Sequence, residues 1–196
     1  MPLEVELKFP VESFEDLRLG LARLGAESRG RHFESNAVFD DAARTLRAGC
    51  VLLRLRHAAD TWVLTVKRPP DEDPCGACKV FEELETRVED GRAMRAALEA
   101  LGFREVFAYE KIRETWEADD LAVCLDLLPF GRFVELEGPE ERILAVAGAL
   151  GLDMAVATKA TYHALNAEYR REAGLAEDES FVFGGRERER LLQDLG

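Results

Sequence analysis

In one strand-like segment after another of this sequence, every second residue is charged. Between Leu3 and Phe9, Glu4, Glu6 and Lys8 alternate with Val5, Leu7 and Phe9. An extended chain then carries its ionic side chains on one face and its apolar ones on the other. The pattern returns with Arg54 and Arg56 against Leu53 and Leu55, Lys67 against Leu64 and Val66, and Glu83 and Glu85 against Leu84. It continues through Lys111 and Arg113, Asp126, and Glu135 and Glu137. In one strand alone this is the solvated face of an antiparallel sheet. Repeated along the chain, with apolar faces that need a cover, it points to a closed sheet with the ionic face inside and helices packed outside.

Strand patterning predicts segments 3–9, 31–40, 50–58, 61–68, 79–88, 104–116, 121–128 and 132–138, about eight strands. Helical spacing predicts 13–25, with Ser13 as N-cap and Gly25 as stop, 90–101 before Gly102, 139–150 between Pro139 and Gly151, and 161–173. The expected class is α+β: an eight-stranded antiparallel β-barrel with helices on its outside. The 196 residues suit one domain, placed at 1–175. Residues 176–196, with Gly184-Gly185 and the Arg186–Arg190 charge run, read as a charged tail with partial mobility.

Charge and composition exclude several classes. A net charge of −13 argues against nucleic acid as partner, because that binding needs a surplus of Lys and Arg facing phosphates. No apolar run approaches the ~20 residues of a spanning helix, so no membrane association is expected. Met1–Glu6 has neither a basic nor an apolar leader region, and a cytoplasmic location is expected. There the cysteines at 50, 75, 78 and 124 are expected to be reduced. Cys75-Gly76-Ala77-Cys78 has redox or metal spacing but follows a Pro- and Asp-rich loop, and it is read as incidental.

A barrel interior lined by Arg, Lys and carboxylates is too costly to dry out, so it should be wet and filled by charged ligands. Fixed Arg and Lys clamp phosphoryl oxygens. Carboxylates two apart on a strand are hard ligands suited to Mg²⁺ or Mn²⁺, which bridge protein to phosphate. Weaker candidates are Glu34, Asn36 and Asp40 at the tunnel rim, Lys159 and Tyr162 beside the last helix, and the scattered His32, His57 and His163.

Glu4-Val5-Glu6-Leu7-Lys8 resembles the Glu-x-Glu-x-Lys signature of the CYTH superfamily, the triphosphate tunnel metalloenzymes. The resemblance continues in order through Leu53–Arg56, Thr65–Pro69, Glu83–Glu85, Lys111–Arg113, Asp126 and Gly131–Glu137, nearly residues 2 to 165. It implies an eight-stranded antiparallel tunnel holding a triphosphate with divalent metal. By resemblance, Arg54, Arg56, Lys67, Lys111 and Arg113 form a phosphate clamp, extended by Lys159. Glu4, Glu6, Glu135 and Glu137 are metal ligands, joined by Glu83, which strand parity selects over Glu82. Lys8 contacts phosphates near the reacting bond and, with Glu85 and Asp126, has a catalytic role.

Family members include thiamine triphosphatases, inorganic tripolyphosphatases and class IV adenylate cyclases. The expected activity is metal-dependent hydrolysis of a triphosphate-bearing small molecule by a monomer or homodimer. The alternatives are a cyclase that makes cyclic AMP and pyrophosphate from ATP, and a polyphosphate-binding module without turnover.

Overall fold

A computed structural model describes residues 3–71 and 76–195. Cys75, half of the Cys-x-x-Cys pair, lies outside the described residues. The strands are β1 (Leu3–Val11), β2 (Glu27–Asp40), β3 (Leu52–Ala58), β4 (Thr61–Arg68), β5 (Lys79–Val88), β6 (Arg104–Ala118), β7 (Leu121–Leu128) and β8 (Gly131–Glu137). They form a closed barrel in the order β1-β5-β4-β3-β2-β6-β7-β8, every neighbour antiparallel. Closure falls to β1, where Lys8 lies opposite Glu135 and Glu6 opposite Glu137.

The helices are α1 (Glu15–Arg23), α2 (Thr45–Ala48), α3 (Gly91–Ala100), α4 (Glu140–Ala149), α5 (Tyr162–Glu172) and α6 (Gly185–Gln193), with a 3₁₀ turn at Met154–Val156. They cover the apolar outer face of the barrel. Leu17 and Leu21 of α1 and Ile143 and Val146 of α4 pack on Leu7, Phe9, Val123 and Leu136. Leu98 of α3 packs with Phe39, Leu53 and Leu55. Among the described residues no helix is long and apolar enough to cross a membrane.

Several boundaries differ from expectation for local reasons. β2 begins at Glu27 rather than 31, because Glu27–Arg29 is polar and exposed and shows no alternation, and a register shift lies between Ser28 and Gly30. β3 begins at Leu52, and the exposed Cys50 stands before it with φ 55°, inside a turn rather than a strand. Ser13 is not the N-cap of α1. Phe14 takes that position without a side-chain cap, and the Ser13 hydroxyl accepts from the Glu15 N–H at 3.2 Å. Asp90 caps α3 by accepting from the N–H groups of Arg92 and Ala93. Gly102 and Gly151 follow α3 and α4 with φ of +92° and +69°, the left-handed stop that glycine adopts freely.

The segment expected as a charged tail is packed against the barrel. Phe183 and Leu191 are buried with Ile112 on its outer face, and Phe181 is buried with Tyr109, Phe130 and Phe133. Its Arg and Glu residues hid three well-spaced apolar anchors.

Helix α3 depends on one close approach. A Cβ on Gly91 would lie 2.1 Å from the Trp62 ring. Gly91→Ala is expected to destabilise the fold by about 1–3 kcal/mol through overpacking. Urea unfolding checks this, and an unchanged midpoint would mean that Trp62 moves aside freely.

Candidate active site

The period-two rule places the ionic residues inside the barrel. The interior is one cavity of about 1090 Å³, lined by Glu4, Glu6, Lys8, Arg54, Arg56, Lys67, Glu83, Glu85, Lys111, Arg113, Glu135 and Glu137. Adjacent strands set these charges opposite one another: Lys67 faces Glu83, Arg113 faces Asp126, and Lys111 faces Glu34. Charged groups removed from bulk water are stable here only in pairs.

The pairing is extensive. Lys8 Nζ lies 2.6 Å from Glu6 and 3.1 Å from Glu135. Lys67 bonds Glu4 at 2.6 Å and reaches Glu83 at 3.2 Å. Arg113 grips Asp126 through Nε at 2.7 Å and Nη2 at 2.5 Å, and reaches Glu135 at 2.7 Å. Lys111 joins Asp126 at 3.1 Å and Glu34 at 3.6 Å. Arg54 is neutralised less. Its Nη1 donates to the Tyr109 hydroxyl and its Nη2 to Thr65 Oγ1, both at 3.1 Å, its nearest carboxylate is Glu85 at 3.3 Å, and its Nε has no partner.

Electrostatics divide the carboxylates into two kinds. Burial works to raise the Glu135 carboxyl, but Lys8, Arg113 and Lys111 outweigh it and hold the group well below its ordinary value. Glu6 is lowered in the same way, with burial and Glu135 opposed by Lys8 and Lys79. Glu137 goes the other way: burial raises it, Glu4 and Glu135 raise it further, and it reaches about 7. Of the six tunnel carboxylates named above, it is the one with no ion pair among the described residues.

A divalent metal fits this wall. No three Asp, Glu, His or Cys side chains converge among the described residues. Mg²⁺, however, binds through one or two carboxylates plus substrate phosphates rather than in an all-protein cage. Glu137, crowded by Glu4 and Glu135, lacks the positive charge that such an ion supplies, and every donor is a hard oxygen.

The other candidates separate by position. Glu83 lines the tunnel, whereas Glu82 pairs with Arg68. Asp126 is fully buried behind the cations, where it accepts bonds from Lys111, Arg113 and Tyr162. Lys159 is exposed and bonds the Gly76 carbonyl, away from the tunnel and from the clamp role expected of it. Asp40 accepts from the N–H groups of Asp41, Leu46 and Arg47 and shapes the turn into α2. His32 pairs with Glu34, His57 stacks on Trp62, and His163 pairs with Glu179.

Tyr162 reaches inside, its hydroxyl 2.8 Å from Asp126 and its ring under Lys8 and Lys111. Burial and the charge of Asp126 raise its phenol well above its ordinary value, so it stays a neutral donor. Lys79, Thr65 and Tyr109 also face the interior and were not expected there. Lys79 shares parity with Glu83 and Glu85, Thr65 with Lys67, and Tyr109 with Lys111, so alternation alone would have found all three. Asn36 is buried, with both amide atoms free of partners.

A family model described as CYTH domain matches residues 2–159. The chain belongs to the CYTH family. This CYTH protein is 30% identical over 136 residues to a Methanocaldococcus jannaschii protein named as a putative adenylate cyclase, covering 69% of this chain and 76% of that one. It shares its fold with a Vibrio parahaemolyticus structure titled a putative adenylate cyclase. That likeness has TM-score 0.74 at 23% identity, over 84% of this chain and 97% of the other. A Hippeastrum structure, whose title describes a putative adenylyl cyclase with dominant triphosphatase activity, gives TM-score 0.61 at 19% identity, over 91% and 99% of the chains.

The Glu137 shift has a definite pH signature. The folded protein holds a proton on Glu137 between its ordinary 4.5 and about 7 that the unfolded chain has released. Stability is therefore lost as pH rises through that window. In metal-free buffer, Glu137→Gln should raise Tm above pH 7, with the gain vanishing below about pH 4.5. Melting curves at several pH values check this, and a pH-independent gain would remove the Glu137 charge as its cause.

Proposed function

We propose that this CYTH protein is a divalent-metal-dependent enzyme that hydrolyses a triphosphate-bearing small molecule. The observation that carries the reading is one tunnel lined both by phosphate-type cations and by a carboxylate edge in which Glu137, beside the paired Glu4 and Glu135, has no cation partner of its own. A module that only binds anions has little use for that edge.

Glu4, Glu6, Glu135 and Glu137, with Glu83 beside them, would hold Mg²⁺ or Mn²⁺. The bound ion would supply charge neutralisation on the phosphate oxygens and an acidified water. The chain itself does the rest. Arg54, Arg56, Lys67, Lys111 and Arg113 bind and orient the triphosphate, and Lys8 meets the charge that develops on the departing bridging oxygen. Glu85 accepts bonds from Thr65 at 2.7 Å and from Arg54. Burial works to raise its carboxyl, but Thr65, Arg56 and Arg54 keep it below its ordinary value, ionised and free to orient the attacking water. The water oxygen bonds the terminal phosphorus, the bridging P–O bond breaks, and diphosphate or its organic ester leaves.

Cyclisation of ATP is the second reading, and the name of the Methanocaldococcus jannaschii relative favours it. The same cations would then hold the departing pyrophosphate.

Phosphorus NMR of the protein with tripolyphosphate or ATP, each with Mg²⁺ or Mn²⁺, decides between them. Orthophosphate release is expected, pyrophosphate with cyclic AMP would establish the cyclase, and no turnover would remove both. Glu4→Gln combined with Glu6→Gln should abolish turnover while the circular dichroism stays that of the wild type, and persisting activity would end the metal-ligand assignment. Arg54→Ala should raise KM at least tenfold, and an unchanged KM would take Arg54 out of the clamp.

A further inference from the structure

The segment 178–183 lies beyond the residues matched by the family model, yet it forms part of the tunnel wall. β7 pairs with β6 only from Ile112 onward, so the first half of β6 has a free edge on that side. The segment takes that edge. Phe181 N–H donates to the Ala108 carbonyl at 3.1 Å, and Glu110 N–H to the Phe181 carbonyl at 3.0 Å, bracketing Tyr109. Ala108 N–H donates to Ser180 Oγ at 3.2 Å, and the Glu110 carboxylate accepts from Phe183 N–H at 3.1 Å and Arg188 Nε at 2.9 Å. At the tunnel mouth Glu179 ties down Arg44, at 2.5 Å, and Arg47.

The Phe181 ring, 4% exposed, stacks on Tyr109 with centroids 5.0 Å apart and planes at 23°. The Tyr109 hydroxyl in turn accepts from buried Arg54. A phenol orients a guanidinium without cancelling its charge, whereas a carboxylate there would neutralise it. Arg54 is thus aimed, but keeps its attraction for an anion.

We propose that Phe181 is a positioning residue of the tunnel: it holds Tyr109, and through it Arg54, in the geometry that receives the substrate's phosphates. This rests on the triphosphate reading above.

The test uses the full chain, with tripolyphosphate and ATP as probes for both steady-state kinetics and calorimetric binding. Tyr109→Phe keeps the ring and removes the acceptor, and it should raise KM and weaken binding about tenfold, the scale of a hydrogen bond to a charged group. Phe181→Ala should weaken binding similarly with kcat little changed, and Phe181→Tyr, which keeps a ring, should restore it. The double variant Phe181→Ala with Tyr109→Phe should be no worse than Tyr109→Phe alone, because both act through one contact.

A Phe181→Ala protein that melts earlier but binds normally would overturn the proposal. So would additive losses in the double variant. If Phe181→Ala does not fold, wild-type binding by Tyr109→Phe overturns it as well. A wild-type protein that binds neither probe would sink the triphosphate reading and this proposal together, a result distinct from normal wild-type binding with unaffected variants.

Discussion

The ion pairs inside the barrel are the constraint on which the rest of the structure depends. Lys8 is 2% exposed and Asp126 is fully buried, positions at which an unpaired charge is strongly unfavourable. Each is held because neighbouring strands bring opposite charges to the same level. Register is therefore specified from the inside as well as by apolar packing outside. A slip of one residue in β1 would turn Glu4, Glu6 and Lys8 into the helices and Val5, Leu7 and Phe9 into the ionic cavity.

Pairing also keeps the site ready. With each tunnel lysine balanced by one or two carboxylates, its charge needs no counter-ion from solution. On the triphosphate reading proposed above, an entering polyanion would take over contacts that already exist. Arg54 and Glu137 are the exceptions in opposite directions. One is a cation whose nearest carboxylate is 3.3 Å away, the other a carboxylate with no cation partner.

Much of this was legible from alternation alone. Once the charged residues of β1, β3 to β6 and β8 are seen to share a parity, barrel closure and the tunnel lining follow, since the apolar faces must go outward. Lys159 escaped that logic because it lies on a connecting turn, where no parity rule applies. Tyr162 was hard to place for a related reason: it opens a helix, and only the path of the chain through Thr158, hydrogen-bonded to Lys8, carries its ring to Lys8 and Lys111. Phe181 sits among acidic residues that look like solvent-exposed tail. Its importance comes from the unequal lengths of β6 and β7, which no local pattern encodes.

The ring closes late. The first strand pairs with β5 and with the last strand, so Glu6 meets Glu137 only after almost the whole barrel has been made. A growing chain would bring Lys67 to Glu83 and Arg113 to Asp126 across consecutive strands, but Glu6 and Lys8 of β1 would wait for Glu137 and Glu135 of β8. Contacts so distant along the chain make for slow assembly. Completion of the tunnel is thus a late event in this molecule, and Tyr162 and Phe181, which also line it, lie later still along the chain.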